Sequence, residues 1–325
     1  MTRVAGTEPT KLEQQLAALR PELASYCYRM LGSTFDADDA VQETMLRAWR
    51  GVESFEGRST MRAWLYRIAT NVCLNHLRRA QRRALPVNLP AEQNQAHVLG
   101  SPQRRETWVE PVPDSWVIPS DLDPAQLAVQ RESVRLAFIA ALQLLTPRQR
   151  AVLLLRDVLK WRTTEVADLL DVSADAVNGV LRRARVALAA WPPDTRSTRV
   201  DDRELLSRYV TAFERFDIDA LVALLAEEAT LSMPPYALWL RGPVAIGQWF
   251  RATGGGCRNA RVVPVAASGA AGFAIYRRNT TDTAHEAFAV QVVETAANHI
   301  TALHTFLDPT LFRAFDLPAT LPTSA

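Results

Sequence analysis

One stretch decides the fold of this chain: LTPRQRAVLLLRDVLKWRTTEVADLLDVSADAVNGVLRRARVAL, residues 145–188. Thr146 is followed by Pro147 and Gln149, the pattern of a capping box with proline at the first helical position. Thr163 and Ser173 are candidate caps of a second and a third helix. The stretch therefore predicts three short helices joined by tight turns, in the order of a helix-turn-helix unit.

The third predicted helix has two chemically different faces. One face is apolar, with residues at three- and four-residue spacing: Val177, Val180, Leu181, Ala184 and Leu188. The opposite face presents Asn178, Gly179, Arg182 and Arg183. Arginine can donate two hydrogen bonds to guanine, and glycine lets a backbone approach DNA closely. We therefore expect a recognition helix for the major groove; the alternative is a three-helix packing unit with incidental arginines.

A second basic segment lies toward the N-terminus. Residues 61–79, MRAWLYRIATNVCLNHLRR, have a helical pattern whose apolar stripe includes Trp64 and which leaves Arg62 and Arg67 for solvent or a partner. Basic side chains among aromatic rings suit single-stranded nucleic acid, because cations neutralise phosphates and rings stack on bases. Two separated basic segments in a near-neutral chain indicate local contact with a polyanion, and solvated helix faces are the alternative.

An acidic helix is predicted just before this basic segment. Between Asp36 and Trp49 the exposed face carries Asp39, Gln42, Glu43 and Leu46. An acidic face beside a basic one argues for a protein partner as well as DNA.

Composition sets the broad class. The chain has 325 residues, of which 48% are apolar and 22% charged, with a formal net charge of +2. This composition excludes global disorder, and no apolar stretch reaches the roughly 18 residues of a membrane span. The three cysteines lie far apart, so we expect neither a disulfide framework nor a metal site, and no cofactor. We expect a soluble, cytoplasmic protein that does not contact a membrane.

Four regions follow one another along the chain. Residues 10–84 and 125–192 are helical in pattern, and residues 85–124 form a linker with seven prolines that is too apolar to be simply solvated. Residues 200–317 predict helices followed by strands. We expect helices at 205–216, 219–227 and 244–250 and strands at 260–267, 272–279, 287–294 and 299–306. This order indicates an α+β fold with helices packed on one face of a sheet.

These motifs resemble a known family. Residues 38–44, DDAVQET, and 55–79 resemble domain two of a bacterial sigma-70 family factor of the extracytoplasmic function (ECF) group, and residues 145–185 resemble domain four. Residues 200–317 resemble a SnoaL-like (nuclear transport factor 2-like) domain, and Trp108-Val109-Glu110-Pro111 resembles a linker stretch of the subgroups that carry such a domain. The resemblance implies a multidomain fold: two all-α sigma domains and a cone-shaped α+β domain.

The resemblance also implies a function and site residues. The implied function is promoter recognition and opening by bacterial RNA polymerase during transcription initiation, which is not an enzymatic activity. The residues implied to dock on the β′ clamp helices are Asp39, Gln42 and Glu43. Those implied to melt and read the −10 element are Arg58, Trp64, Asn71, Asn75, Arg78 and Arg79. Those implied to read the −35 element are Asn178, Gly179, Arg182 and Arg183. Asp171 stands where the turn usually has glycine, and Asp tolerates the left-handed conformation.

The C-terminal region leaves two interpretations open. We favour regulation of the sigma domains in cis; the alternative is a DNA-binding module fused to a small-molecule enzyme or ligand sensor. A pocket for a small ligand is expected, with candidate lining residues Tyr209, Phe213, Tyr236, Trp239, Trp249 and Phe288. His299 and His304 are five residues apart, and this odd spacing places them on opposite faces of a strand, where they cannot act as a pair.

Overall fold

The computed structural model describes residues 11–52, 55, 59–78, 82–88, 99–120, 122–189, 202–281 and 283–322. Three helices pack on one another at the N-terminus: α1 (Lys11–Leu31), α2 (Thr34–Gly51) and α3 (Met61–Leu77). Side-chain caps start the second and the third, because the Ser33 and Thr60 hydroxyls accept hydrogen bonds from backbone amides three residues ahead.

The linker packs into the core of the protein. It contains short 3₁₀ turns at Pro86–Asn88 and Arg105–Thr107 and one turn of helix, α4 (Asp114–Val117). Trp108 and Val109 are almost fully buried. The linker is therefore a packed part of the structure and not a solvated tether.

The helix-turn-helix lies within the next five helices: α5 (Pro124–Glu132), α6 (Leu136–Leu142), α7 (Pro147–Leu153), α8 (Thr163–Leu170) and α9 (Ala174–Ala189). The capping box at Thr146 is present, and α7 continues as a π-helical turn through Val158. The cap expected at Thr163 is wrong by one residue, because Arg162 holds the N-cap position. Asp171 adopts the left-handed conformation, with φ 54° and ψ 55°, as its side chain permits.

The C-terminal region is an α+β unit. Its helices are α10 (Arg203–Glu214), α11 (Ile218–Val222), α12 (Pro243–Ala252) and α13 (Leu311–Ala314). Its strands are β1 (Leu225–Ser232), β2 (Trp239–Arg241), β3 (Arg261–Ala267), β4 (Ala270–Arg278), β5 (Ala284–Ala296), β6 (His299–Phe306) and β7 (Thr320–Pro322). The sheet order is β2-β1-β6-β5-β4-β3, with β1 parallel to β6 and β7 paired to the first residues of β5.

The structure corrects three sequence expectations here. The helix expected at 219–227 ends at Val222, and Leu225 already begins β1. Two strands also precede α12, so the helices do not all come first, and the sheet continues past residue 317 into β7. A register irregularity between Leu225 and Thr230 interrupts the alternation of β1, which removes the period-two pattern that identifies a strand.

Both faces of the sheet are covered. Side chains alternate along β5, so that Ala289 and Val293 join a core with α10 and α12, whereas Val290 and Val292 join the core of the N-terminal helices. The second core runs without interruption from α1 to the sheet. The C-terminal unit is thus docked on the helical regions through a buried apolar interface.

Candidate nucleic-acid interface

The predicted recognition face of α9 is open. Asn178, Arg182 and Arg183 are exposed, while Val177 and Leu181 on the opposite face are buried. A Cβ added at Gly179 would touch only the Arg183 side chain, at 3.7 Å. This surface can therefore enter a groove of DNA without rearrangement of the helix.

The predicted face of α3 instead borders a groove. Asn71, Asn75 and Arg78 are exposed and line a groove of about 740 Å³, whose other wall is formed by the start of α7 and the end of α8. Trp64 is half-buried, with its ring centroid 5.0 Å from that of Phe55. Arg58 and Arg79 lie outside the described residues.

Contacts join α3 to the helix-turn-helix. Arg67 donates a 2.6 Å hydrogen bond to the carbonyl oxygen of Asp168 at the end of α8. The rings of Tyr66 and Trp161 are 5.0 Å apart. Arg62, expected to be left for solvent or a partner, instead pairs with Glu22, and its guanidinium lies 5.2 Å from the Trp161 ring centroid. These contacts hold the two candidate DNA-binding regions side by side.

The acidic face of α2 is free of contacts with the other regions. Asp39 and Gln42 are exposed and Glu43 is half-buried. The side-chain contacts of Gln42 and Glu43 stay on the same helix, with Asp38 at 2.8 Å and Arg47 at 2.6 Å respectively. Beside them Trp49 is 63% exposed. Leu46, one turn earlier, is 48% exposed, so the two side chains form an exposed apolar patch beside the carboxylates, which is typical of a protein-docking surface.

A clasp in the linker joins the N-terminal helices to the C-terminal unit. The buried Glu110 carboxylate accepts hydrogen bonds from the Ser33 hydroxyl at 2.7 Å and the Thr34 amide at 3.1 Å, and it pairs with Arg105 at 2.5 Å. On the other side, Trp108 Nε1 donates to the carbonyl oxygen of Pro235 at 3.1 Å. Residues 105–112 are called the linker clasp below. In the sequence, only the Trp108–Pro111 motif pointed to this part of the linker.

An ion pair joins the start of α6 to the sheet. Arg135 and Glu294 are 6% and 5% exposed, and their charged groups are 2.6 Å apart. Burial raises the pKa of Glu294, and Arg135 offsets only part of that increase. Nothing in the sequence connected these residues.

Glu294 also ends a chain of polar groups that has the order of a hydrolase triad. His304 Nε2 lies 4.0 Å from Glu294, and His304 Nδ1 lies 2.9 Å from the Ser232 hydroxyl. Ser232 is only 1% exposed and borders no described cavity. A substrate could not reach this hydroxyl, so the chain of groups fits an internal polar contact.

A cavity of about 100 Å³ lies between the sheet and α12. Of the candidate lining residues, Phe213, Trp249 and Phe288 border it. Tyr209, Tyr236 and Trp239 are not among the described lining residues. The Tyr209 hydroxyl donates a 2.5 Å hydrogen bond to the side chain of Gln291, which does line the cavity. His299 is exposed and His304 is buried, as their spacing predicted.

Within the described ranges, no helix combines the length and apolar character needed to cross a bilayer. No group of His, Cys, Asp or Glu within the same ranges is arranged to hold a metal ion.

Comparisons with known proteins match the three regions separately. The family described as sigma-70 region 2 matches residues 16–83, sigma-70 region 4 matches 135–188, and the SnoaL-like domain matches 206–305. The chain is 46% identical to the ECF RNA polymerase sigma factor SigG of Mycobacterium tuberculosis H37Rv over 93% of this chain and 82% of SigG. It is 31% identical to the ECF RNA polymerase sigma factor SigJ of that organism, over 67% of this chain and 63% of SigJ.

The crystal structure of Mycobacterium tuberculosis SigJ has the same overall fold. The two structures superpose with a TM-score of 0.60 over 94% of this chain and 99% of that one, at 23% sequence identity. The arrangement of helical regions followed by an α+β unit therefore recurs in a second chain.

Proposed function

This chain belongs to the extracytoplasmic function (ECF) family of RNA polymerase sigma factors, and from that premise we propose that its linker and C-terminal domain regulate promoter binding in cis. The family predicted from the sequence motifs is thereby confirmed, as is the fold class. As a sigma factor the protein acts in transcription initiation, with RNA polymerase core and promoter DNA as its partners. Because bacterial RNA polymerase acts in the cytoplasm, we place this sigma factor there as well.

The site residues are assigned by their placement and their family positions. We assign Asp39, Gln42 and Glu43 on the open face of α2 to the β′ clamp helices. The described −10 residues are Trp64, Asn71, Asn75 and Arg78, and Arg58 and Arg79 join them by sequence position. The −35 residues are Asn178, Gly179, Arg182 and Arg183.

One observation carries the regulatory proposal: the two DNA-binding faces are too close together. The −10 and −35 elements are about 25 base pairs apart by definition, which is roughly 85 Å along B-DNA. Here Arg67 of α3 is bonded to the end of α8, and α9, with 16 residues and a length of about 24 Å, begins a few residues later. The faces cannot meet both elements until α3 and α8 separate, so this conformation is closed.

Contacts of the linker and the C-terminal domain add to the direct contacts between α3 and the helix-turn-helix in holding the closed conformation. The linker clasp binds α2 on one side and the C-terminal domain on the other, and Glu294 pairs with Arg135 at the start of α6. Separation of the two sigma domains must disturb one or both of these contacts. The open face of α2 is outside them, so docking to polymerase remains possible in the closed state.

The cavity supports a non-enzymatic role. Isomerases and cyclases need a general base at the substrate. No Asp, Glu or His occurs among the described residues that line the cavity. A ligand-sensing domain is compatible with this lining, and it is the second candidate function.

The experiment compares Glu110→Gln with Glu106→Gln in the full chain. Glu110 is the buried acceptor of the linker clasp, whereas Glu106 is an exposed glutamate of the same linker. Run-off transcription with purified core polymerase should increase several-fold for Glu110→Gln and stay unchanged for Glu106→Gln. Equal transcription from wild type and Glu110→Gln would contradict regulation through the clasp. Failure of the wild-type chain to produce any promoter-directed transcript would contradict the sigma function itself.

A further inference from the structure

The cavity of the C-terminal domain is small and is lined by aromatic side chains. Phe213, Trp249, Phe250 and Phe288 contribute rings to its lining. Its volume of about 100 Å³ is comparable with an engineered apolar cavity of about 150 Å³ that binds benzene. The space therefore suits a molecule with about one ring, and ring-to-ring contacts favour an aromatic one.

Two polar groups on the wall have no protein partner among the described residues. Arg277 is half-buried, and its guanidinium lies 4.4 Å from the Phe288 ring centroid. Its cross-strand neighbour on β5 is the exposed Glu286, but no described carboxylate comes within ion-pair distance of the guanidinium. Trp249 is 4% exposed, and its Nε1 donates no hydrogen bond to any described group. A cation without an ion-pair partner on the wall of a small cavity suits an anionic ligand.

Glycine makes room for this arrangement. A Cβ at Gly256 would come within 2.1 Å of an Arg277 guanidinium nitrogen, and one at Gly254 within 2.9 Å of the Phe250 ring. A side chain at 254 would therefore collide with the rings, and one at 256 would displace the guanidinium from its position.

We propose that this cavity binds a carboxylic acid built on a single aromatic ring, with its carboxylate paired to Arg277 and its ring among the aromatic side chains. Binding at this site does not depend on the proposed cis regulation; only the regulatory effect of binding rests on that proposed function. Leu99 of the linker forms part of the cavity wall, and the nearby Gln103 amide bonds to the Pro235 carbonyl oxygen at 2.8 Å. A molecule in the cavity thus contacts the segment that leads into the linker clasp.

Calorimetric titration of the full chain tests the ligand class. The probes are benzoate, benzyl alcohol as a ring without charge, and acetate as a charge without a ring. Benzoate should bind saturably with one site per chain, and the other two at least about tenfold more weakly, because a hydrogen bond to a charged group and the ring contacts each add affinity.

A pair of variants tests the contact. Arg277→Met should weaken benzoate binding at least about tenfold. Arg278→Met is the matched control, because the next residue of β4 is exposed and points to the other face of the strand; its affinity should equal that of wild type. Undiminished binding to Arg277→Met, with a wild-type circular dichroism spectrum, would overturn the proposal.

Protection of Cys257 tests the location in the wild-type chain, without any variant. Cys257 lines the cavity, and the other two cysteines are completely buried and serve as internal references. Benzoate should slow alkylation of Cys257 by a small thiol reagent, measured by mass spectrometry. Absence of both saturable heat and protection would overturn the proposal. These assays contain neither polymerase nor DNA, so their failure would leave the transcription result for Glu110→Gln unaffected.

Discussion

Glu294→Gln should shift the protein from its closed to its open conformation. The substitution keeps the shape of the side chain but removes the buried counter-charge of Arg135, whose other carboxylate, Glu132 at 3.8 Å, lies on an exposed side chain. Arg135 and Glu294 are both less than 10% exposed in this interface. Removal of one partner of a buried ion pair costs about 3–5 kcal/mol. At the lower limit the ratio of closed to open molecules falls about 100-fold.

Single-molecule energy transfer measures that ratio. Dyes can be placed at Val186 on α9 and Val244 on α12, which are 67% and 73% exposed, through cysteines introduced there. The population with high transfer efficiency should fall for Glu294→Gln, and run-off transcription should rise with it. Glu286→Gln is the matched control, because this glutamate lies on the same strand but is exposed.

A double variant separates the charge effect from general disruption. Replacement of a whole buried ion pair by apolar side chains of similar volume is often neutral or stabilising. Arg135→Met combined with Glu294→Met should therefore restore much of the closed population that Glu294→Gln loses. An unchanged closed population in Glu294→Gln, with the fold intact, would refute the assignment of this pair as a latch.

Two further outcomes follow from individual contacts. Gly254→Ala should lower stability by about 1–3 kcal/mol in thermal unfolding, because its Cβ meets ring atoms at 2.9 and 3.1 Å, whereas Gly255→Ala, with no atom within 4 Å, should be nearly neutral. Alanine at Arg182 or Arg183 should weaken promoter binding by about 1–3 kcal/mol if the side chain contacts a base, or reduce the salt slope by about 1 if it contacts a phosphate; unchanged affinity and slope for both would remove α9 from the interface.

Local patterns predicted the helical regions well because their causes lie within a few residues. The capping box at Thr146 and the left-handed turn at Asp171 each depend on a side chain and the adjacent backbone. Strand β1 was missed because its register irregularity breaks the alternation by which strands are recognised. Strands β2 and β7 have three residues each, which is too short to show an alternating pattern.

The sequence by itself determined the helices, the helix-turn-helix, most of the sheet and the family, because capping, periodicity and motif spacing are properties of neighbouring residues. Only the tertiary structure decided which charges are buried and which faces are covered. Arg135 and Glu294 are 159 positions apart, and Arg67 and Asp168 are 101 apart, so their pairing depends on how whole domains dock. The closed conformation is a property of those long-range contacts, since burial and electrostatic pairing arise only when distant segments exclude water together.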